Sequence, residues 1–100
     1  PEHIQGYRQV RDKLPMPIAG GENEHTLYGF RDFLAAGAVD IAQPDLGSVG
    51  GFTACRHVVA LAQAHGVQVN PHVWGSAIAQ AASLQMIAAV PVAHHSVFAE

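Results

Sequence analysis

This 100-residue sequence has one cysteine, Cys55, only five lysines and arginines, and no apolar run near the roughly 20 residues that cross a bilayer. A lone thiol excludes an internal disulfide framework and leaves a thiolate zinc site unsupported, so a reducing, cytoplasmic setting is expected. The few cations are scattered and the formal charge is −3. That leaves no basic footprint for nucleic acid or an anionic membrane, and neither partner is expected. The opening Pro1-Glu2-His3-Ile4-Gln5 lacks the basic and apolar regions of a signal peptide. Charged residues make up 13% against 49% hydrophobic, which excludes a disordered tail and implies a substantial core.

What is present is a repeated strand-then-helix pattern. Ile4, Tyr7, Val10 and Leu14 stand at helical spacing, and Pro15 with Pro17 ends that helix. Three apolar runs then each finish on a reactive side chain: Pro17 to Glu22, Val39 to Asp45, and Val67 to His72. After Glu22, Thr26 is placed to cap a helix with Leu27, Phe30, Phe33 and Leu34 on one face and Gly37 as its stop. Beyond Asp45, the segment Leu46-Gly47-Ser48-Val49-Gly50-Gly51 can turn tightly and bring backbone near a ligand. Thr53 is placed to cap the next helix, whose buried side carries Val58, Val59, Leu61 and Ala62 and which stops at Gly66. After His72 and Trp74-Gly75-Ser76, a small-residue helix runs through Ile78, Leu84 and Ile87 to Pro91.

Alternating strands and helices predict a parallel α/β sheet, in which ligands sit beyond the carboxyl ends of the strands. Glu22, Asp45 and His72 are spaced by about one βα unit each and would share one rim. A barrel converges such residues more naturally than an open sheet. Glycines 20 and 21 leave room for a ligand or ion beside Glu22, a hard oxygen donor suited to Mg²⁺. On the residues alone, the favoured reading of Glu22 is an ordinary polar loop residue or a helix N-terminal charge. Asp45 can accept the Nδ1 proton of His72 and fix its tautomer, making His72 a general base, and a loop histidine with a hydrogen bond is the competing reading.

Other polar residues read as structural. Asp40 falls at the strand entry, Glu24 and His25 in the first helical turn after Glu22, and His57 and His65 on a helix without i, i+4 partners for a metal. His94 and His95 are adjacent and would point to opposite faces of a strand. Trp74 reads equally as a pocket wall or as packing at the rim.

Gly21-Glu22-Asn23, Gln43-Pro44-Asp45 with Gly50-Gly51, and Asn70-Pro71-His72 resemble the enolase superfamily, mandelate racemase/muconate lactonizing enzyme family, mandelate racemase subgroup. The resemblance covers nearly the whole chain. It implies that residues 1–100 are the C-terminal part of a TIM-like (β/α)7β barrel catalytic domain. The capping domain and early strands, with the Lys-x-Lys motif and two metal carboxylates, would lie in a longer polypeptide, and the chain reads as cut at both ends. The resemblance further implies Glu22 as a Mg²⁺ ligand and Asp45 with His72 as the acid/base dyad. An acid expected near the eighth strand falls on Val92, with Glu100 the nearest carboxylate.

The implied activity is Mg²⁺-dependent abstraction of the proton α to a carboxylate through an enediolate, with dehydration or cycloisomerisation of an acid sugar as the leading form. The partner is a small-molecule carboxylate substrate, and a homo-oligomer is expected. Racemisation or epimerisation of a 2-hydroxy acid is the close alternative. A noncatalytic barrel fragment is the reading if the chain stands alone, since three βα units leave open sheet edges.

Overall fold

The computed structural model describes residues 2–90. Their elements run α1 (Ile4–Lys13), β1 (Ala19–Gly20), α2 (Thr26–Ala35), β2 (Ile41–Ala42), α3 (Leu46–Val49), α4 (Gly51–Ala64), β3 (Gln68–Val69) and α5 (Ala77–Ala89). The strands form one parallel sheet in the order β1-β2-β3. Each is short, yet main-chain bonding runs past its ends. The Asp40 N–H donates to the Ile18 carbonyl at 2.8 Å, Gln43 N–H to Gly20 at 2.8 Å and Asn70 N–H to Ala42 at 3.0 Å. The β2–β3 register, Ile41 with Gln68 and Ala42 with Val69, carries on to the strand exits. There the His72 N–H donates to the Pro44 carbonyl at 3.1 Å, and Asp45 and His72 form a parallel bridge. Backbone pairing therefore fixes these two residues side by side before their side chains meet.

Helical spacing puts Phe30, Phe33 and Leu34 on one side of α2 and Val58, Val59 and Ala62 on one side of α4. These faces pack against each other and against Val39, Ala42, Val67 and Val69. Phe33 meets Tyr7 edge-on at 5.1 Å and Phe30 at 6.4 Å between ring centroids, which ties α1 to α2. Thr26 is the first residue of α2 and not its cap, which is His25 without a side-chain cap bond, although the Thr26 hydroxyl accepts the Tyr28 N–H at 3.3 Å; Gly37 and Gly66 follow the ends of α2 and α4.

Other expectations also differ from the structure. Val10 and Leu14 are exposed, because α1 reaches the core only through Ile4 and Tyr7. Thr53 lies inside α4 rather than capping it. The chain turns two residues earlier, at Gly50 and Gly51 with φ of 110° and 84°, a left-handed pair that glycine adopts without a Cβ clash. Helix α5 is capped by Ser76, which accepts the Ala79 N–H at 3.1 Å. It buries Ser83 and Met86 while Ile78 and Leu84 stay exposed, since its apolar residues encircle it and only one strip faces α3 and α4. Val92, His94, His95 and Glu100 lie outside the described residues. Among the described residues no helix is long and apolar enough to cross a membrane.

Candidate active site

Glu22 leaves β1 through Gly21, which has φ 110°. A Cβ at Gly21 would lie 2.9 Å from the Phe30 ring, and one at Gly20 would lie 3.0 Å from Tyr7. The paired glycines therefore admit the aromatic core beneath the turn, where the sequence suggested room for a ligand or ion. The same turn lifts the Glu22 carboxylate to the rim, where it is half exposed.

Asp45 does two things at once. Its Oδ1 accepts the N–H groups of Gly47 at 2.8 Å and Ser48 at 3.2 Å, capping the short helix α3. Its Oδ2 lies 3.0 Å from His72 Nδ1. With one oxygen anchored to α3 and only 14% of the side chain exposed, the carboxylate cannot swing away from the imidazole. The acceptor assigns the proton to Nδ1, leaving Nε2 as the outward nitrogen. Nε2 lies 3.4 Å from Glu22 Oε2. The structure thus brings Glu22, Asp45 and His72 together in one row.

A cavity of about 470 Å³ opens over this row and is lined by Glu22, Asn23, Asp45, Ser48, His72 and Trp74. Trp74 reaches the cavity while remaining 84% exposed, so it forms an outer wall and contributes little to the core. A larger cavity of about 890 Å³ lies at the opposite end of the sheet, beside Arg11, Asp40 and Gly66. Asp40 sits there, at the entry to β2, as expected. The backbone N–H of Ile18 and the Arg11 guanidinium hold its carboxyl below the ordinary carboxylate range. His57 and His65 are exposed on and after α4. Cys55 is fully buried, and burial pushes its thiol up to about 11.

Two residues near the rim carry more than expected. His25 precedes α2, and its Nδ1 lies 3.1 Å from the Ser48 carbonyl, linking the β1 exit to α3. Glu24 also precedes α2 and is buried. The cap role of Asp45 was legible as an Asp immediately before a turn-forming Leu-Gly-Ser segment. No local pattern announces the burial of Glu24.

A model of the enolase C-terminal domain-like family matches residues 1–99. The chain belongs to that family. D-galactarolactone cycloisomerase from Agrobacterium fabrum is 49% identical over 90 residues, which are 90% of this chain and 24% of that protein. L-rhamnonate dehydratase from Saccharopolyspora erythraea is 46% identical over 74 residues, 72% of this chain and 19% of that protein. The crystal structure of 3,6-anhydro-D-galactonate cycloisomerase from Zobellia galactanivorans superposes with a TM-score of 0.84 at 36% identity, covering 96% of this chain and 26% of that one. The chain spans about a quarter or less of the length of these proteins. Its parallel βα units are the C-terminal part of the enolase-superfamily TIM-like barrel.

The donor set can be compared with the Mg²⁺ that the family implies. Mg²⁺ takes one or two carboxylates and otherwise keeps waters and substrate oxygens. Glu22 offers one exposed hard-oxygen donor beside an open cavity, which suits a contributing ligand. Among the described residues no group of three or more His, Cys, Asp or Glu side chains could hold a metal. The chain therefore fits as one side of such a site.

Proposed function

We propose that the polypeptide carrying this chain removes the proton α to the carboxylate of a sugar acid and completes a dehydration or cycloisomerisation. Residues 1–100 would form the C-terminal part of its barrel catalytic domain. His72 is the acid/base, Asp45 its positioning residue and Glu22 one Mg²⁺ ligand. The observation that carries this reading is the row in which Asp45 Oδ2 holds His72 Nδ1 at 3.0 Å while Nε2 faces Glu22 at 3.4 Å. A base placed beside a metal-binding carboxylate can reach the carbon next to a metal-held carboxylate. The sugar-acid substrate class is supported by the names of the relatives.

When bound, Mg²⁺ would supply positive charge facing the substrate carboxylate as the α-carbon loses its proton. Asp45 holds the imidazole in the tautomer whose Nε2 accepts that proton, and stabilises the imidazolium that results. In dehydration, the C–H electron pair becomes the new C=C bond as the β C–O bond breaks. The imidazolium then gives its proton to the departing hydroxide, which leaves as water. In cycloisomerisation, the β C–O bond that breaks is part of a ring, so the imidazolium's proton goes to the freed ring oxygen, which stays on the product, and no water is lost.

The test is a panel of five- and six-carbon sugar acids and their lactones, incubated in D₂O with Mg²⁺ and the full encoded polypeptide and followed by NMR. Deuterium at the α-position or loss of the β-hydroxyl is the expected result for at least one member. Exchange restricted to simple 2-hydroxy acids, with no loss of water, would favour racemisation. Absence of exchange with every acid would leave the noncatalytic reading standing.

A further inference from the structure

Helix α3 is a single turn, Leu46–Val49. A turn this short fixes more backbone than its own hydrogen bonds repay, so its position is set by what holds its ends and its buried side. Leu46 and Val49 anchor the buried side in the core. Gly47 and Ser48, whose N–H groups hold Asp45 Oδ1, lie on the outer side, Gly47 exposed and Ser48 half-buried. The chain then passes through Gly50 and Gly51, a left-handed pair with no side chain to pin the turn. His25 closes this outer side from across the rim. Its Nδ1 lies 3.1 Å from the Ser48 carbonyl, and a carbonyl only accepts, so Nδ1 carries the proton and donates it.

The start of α2 is built around this reach. His25 occupies the cap position, where Ser, Thr, Asp or Asn would ordinarily bond the first helix N–H groups, and its side chain makes no such bond. Thr26 follows with φ 62°, a left-handed value that is costly for a β-branched residue. A forgone cap and a strained backbone thus fall on the two residues that aim the imidazole at α3. The contact joins the exits of β1 and β2, two strands paired with each other within this chain. We infer that His25 is a positioning residue for the Asp45–His72 pair, acting through α3. The inference rests on the acid/base reading of His72 and adds to it the residue that steadies its anchor. The bonds run in sequence: His25 Nδ1–H to the Ser48 carbonyl, Ser48 N–H to Asp45 Oδ1 at 3.2 Å, and Asp45 Oδ2 to His72 Nδ1 at 3.0 Å. Without the first bond, α3 can rock about its buried side. Its N–H groups then drift from Oδ1, and the carboxylate is free to turn from the imidazole.

Two variants of the full encoded polypeptide test this. His25→Ala removes the donor, whereas His25→Asn places an amide N–H where Nδ1 stands. With Mg²⁺ and the sugar acid that the wild type exchanges fastest, His25→Ala should lower kcat for α-proton exchange about fivefold, the factor for one ordinary hydrogen bond, with KM and Mg²⁺ affinity within about twofold. His25→Asn should recover most of the rate. In substrate-free protein at one fixed pH, the His72 Nδ1–H proton resonates downfield while a carboxylate accepts it. That resonance should move upfield and broaden in His25→Ala and return in His25→Asn. An unmoved resonance with an unaltered rate per folded molecule in His25→Ala would make the contact a surface one and overturn the inference. A loss that His25→Asn fails to repair would overturn the hydrogen bond as its cause, and Mg²⁺ affinity falling in step with kcat would make His25 a support for Glu22 instead. Wild-type protein that exchanges none of the acids would remove the acid/base reading before any substitution is made, and the role of His25 with it.

Discussion

Asp40 and Asp45 flank the same short strand and use their carboxylates in opposite ways. At the entry, Asp40 Oδ1 pairs with Arg11 Nε at 2.8 Å and Oδ2 accepts the Ile18 N–H at 2.9 Å. Both oxygens are committed to parts of the fold that do not react, and the result is a staple joining α1, β1 and β2. At the exit, one Asp45 oxygen is committed to the start of α3 and the other to an imidazole that faces a cavity. The difference lies in the partner. Backbone and guanidinium donors hold a carboxylate in place, whereas a histidine transmits that placement to a nitrogen able to exchange protons.

Breaking the exit end has the largest expected effect on chemistry. His72→Asn should lower α-proton exchange about 1,000-fold, the middle of the range for loss of a general base, with Mg²⁺ affinity retained. NMR in D₂O and calorimetry check the two halves of that statement. Asp45→Asn keeps an oxygen for the α3 cap and weakens its hold on the imidazole, and should lower exchange roughly 100-fold. A circular dichroism spectrum like that of the wild type would show that the loss is not unfolding.

Breaking the entry end should move stability and spare chemistry. Asp40→Asn leaves Arg11 and the Ile18 N–H poorly matched and should cost about 1–3 kcal/mol in urea unfolding, with exchange rates unaltered in the folded protein. The carboxyl of Asp40 is held below its ordinary value. Its stabilising contribution is therefore complete above that ordinary value and disappears as pH falls through the lowered one. The wild type should lose stability in this acid window and Asp40→Asn should lose less. The smallest effect concerns Cys55, whose thiol is raised to about 11 and buried. Iodoacetamide at pH 8 should label it only under unfolding conditions, and labelling at the rate of a free thiol would show that α4 opens locally.

Much of this contrast was legible along the chain. The strand-to-helix rhythm, the glycine stops at 37 and 66, and the roughly equal spacing of Glu22, Asp45 and His72 are local signals, and a parallel sheet turns that spacing into proximity. Asp40 could be assigned to the entry because it precedes its strand. What the chain concealed depends on tertiary contact. Gly20 and Gly21 look like space for an ion until Phe30 and Tyr7 are seen beneath them. Thr53 looks like a cap until the Gly50-Gly51 turn starts the helix ahead of it. Glu24 looks like an ordinary helix-start acid until it is found buried. Val10, Leu14, Ile78 and Leu84 have core chemistry and helical spacing, and only the positions of neighbouring elements decide that they are exposed.

Asp45, capped and held in place, fixes the His72 tautomer so that Nε2, the nitrogen facing Glu22, carries no proton. Imidazole ¹⁵N NMR on the neutral ring, with His72→Asn for assignment, measures this without any substrate. The account predicts a protonated Nδ1 and a bare Nε2 for His72. A ring carrying its proton on Nε2, with Nδ1 bare beside Asp45, would contradict it.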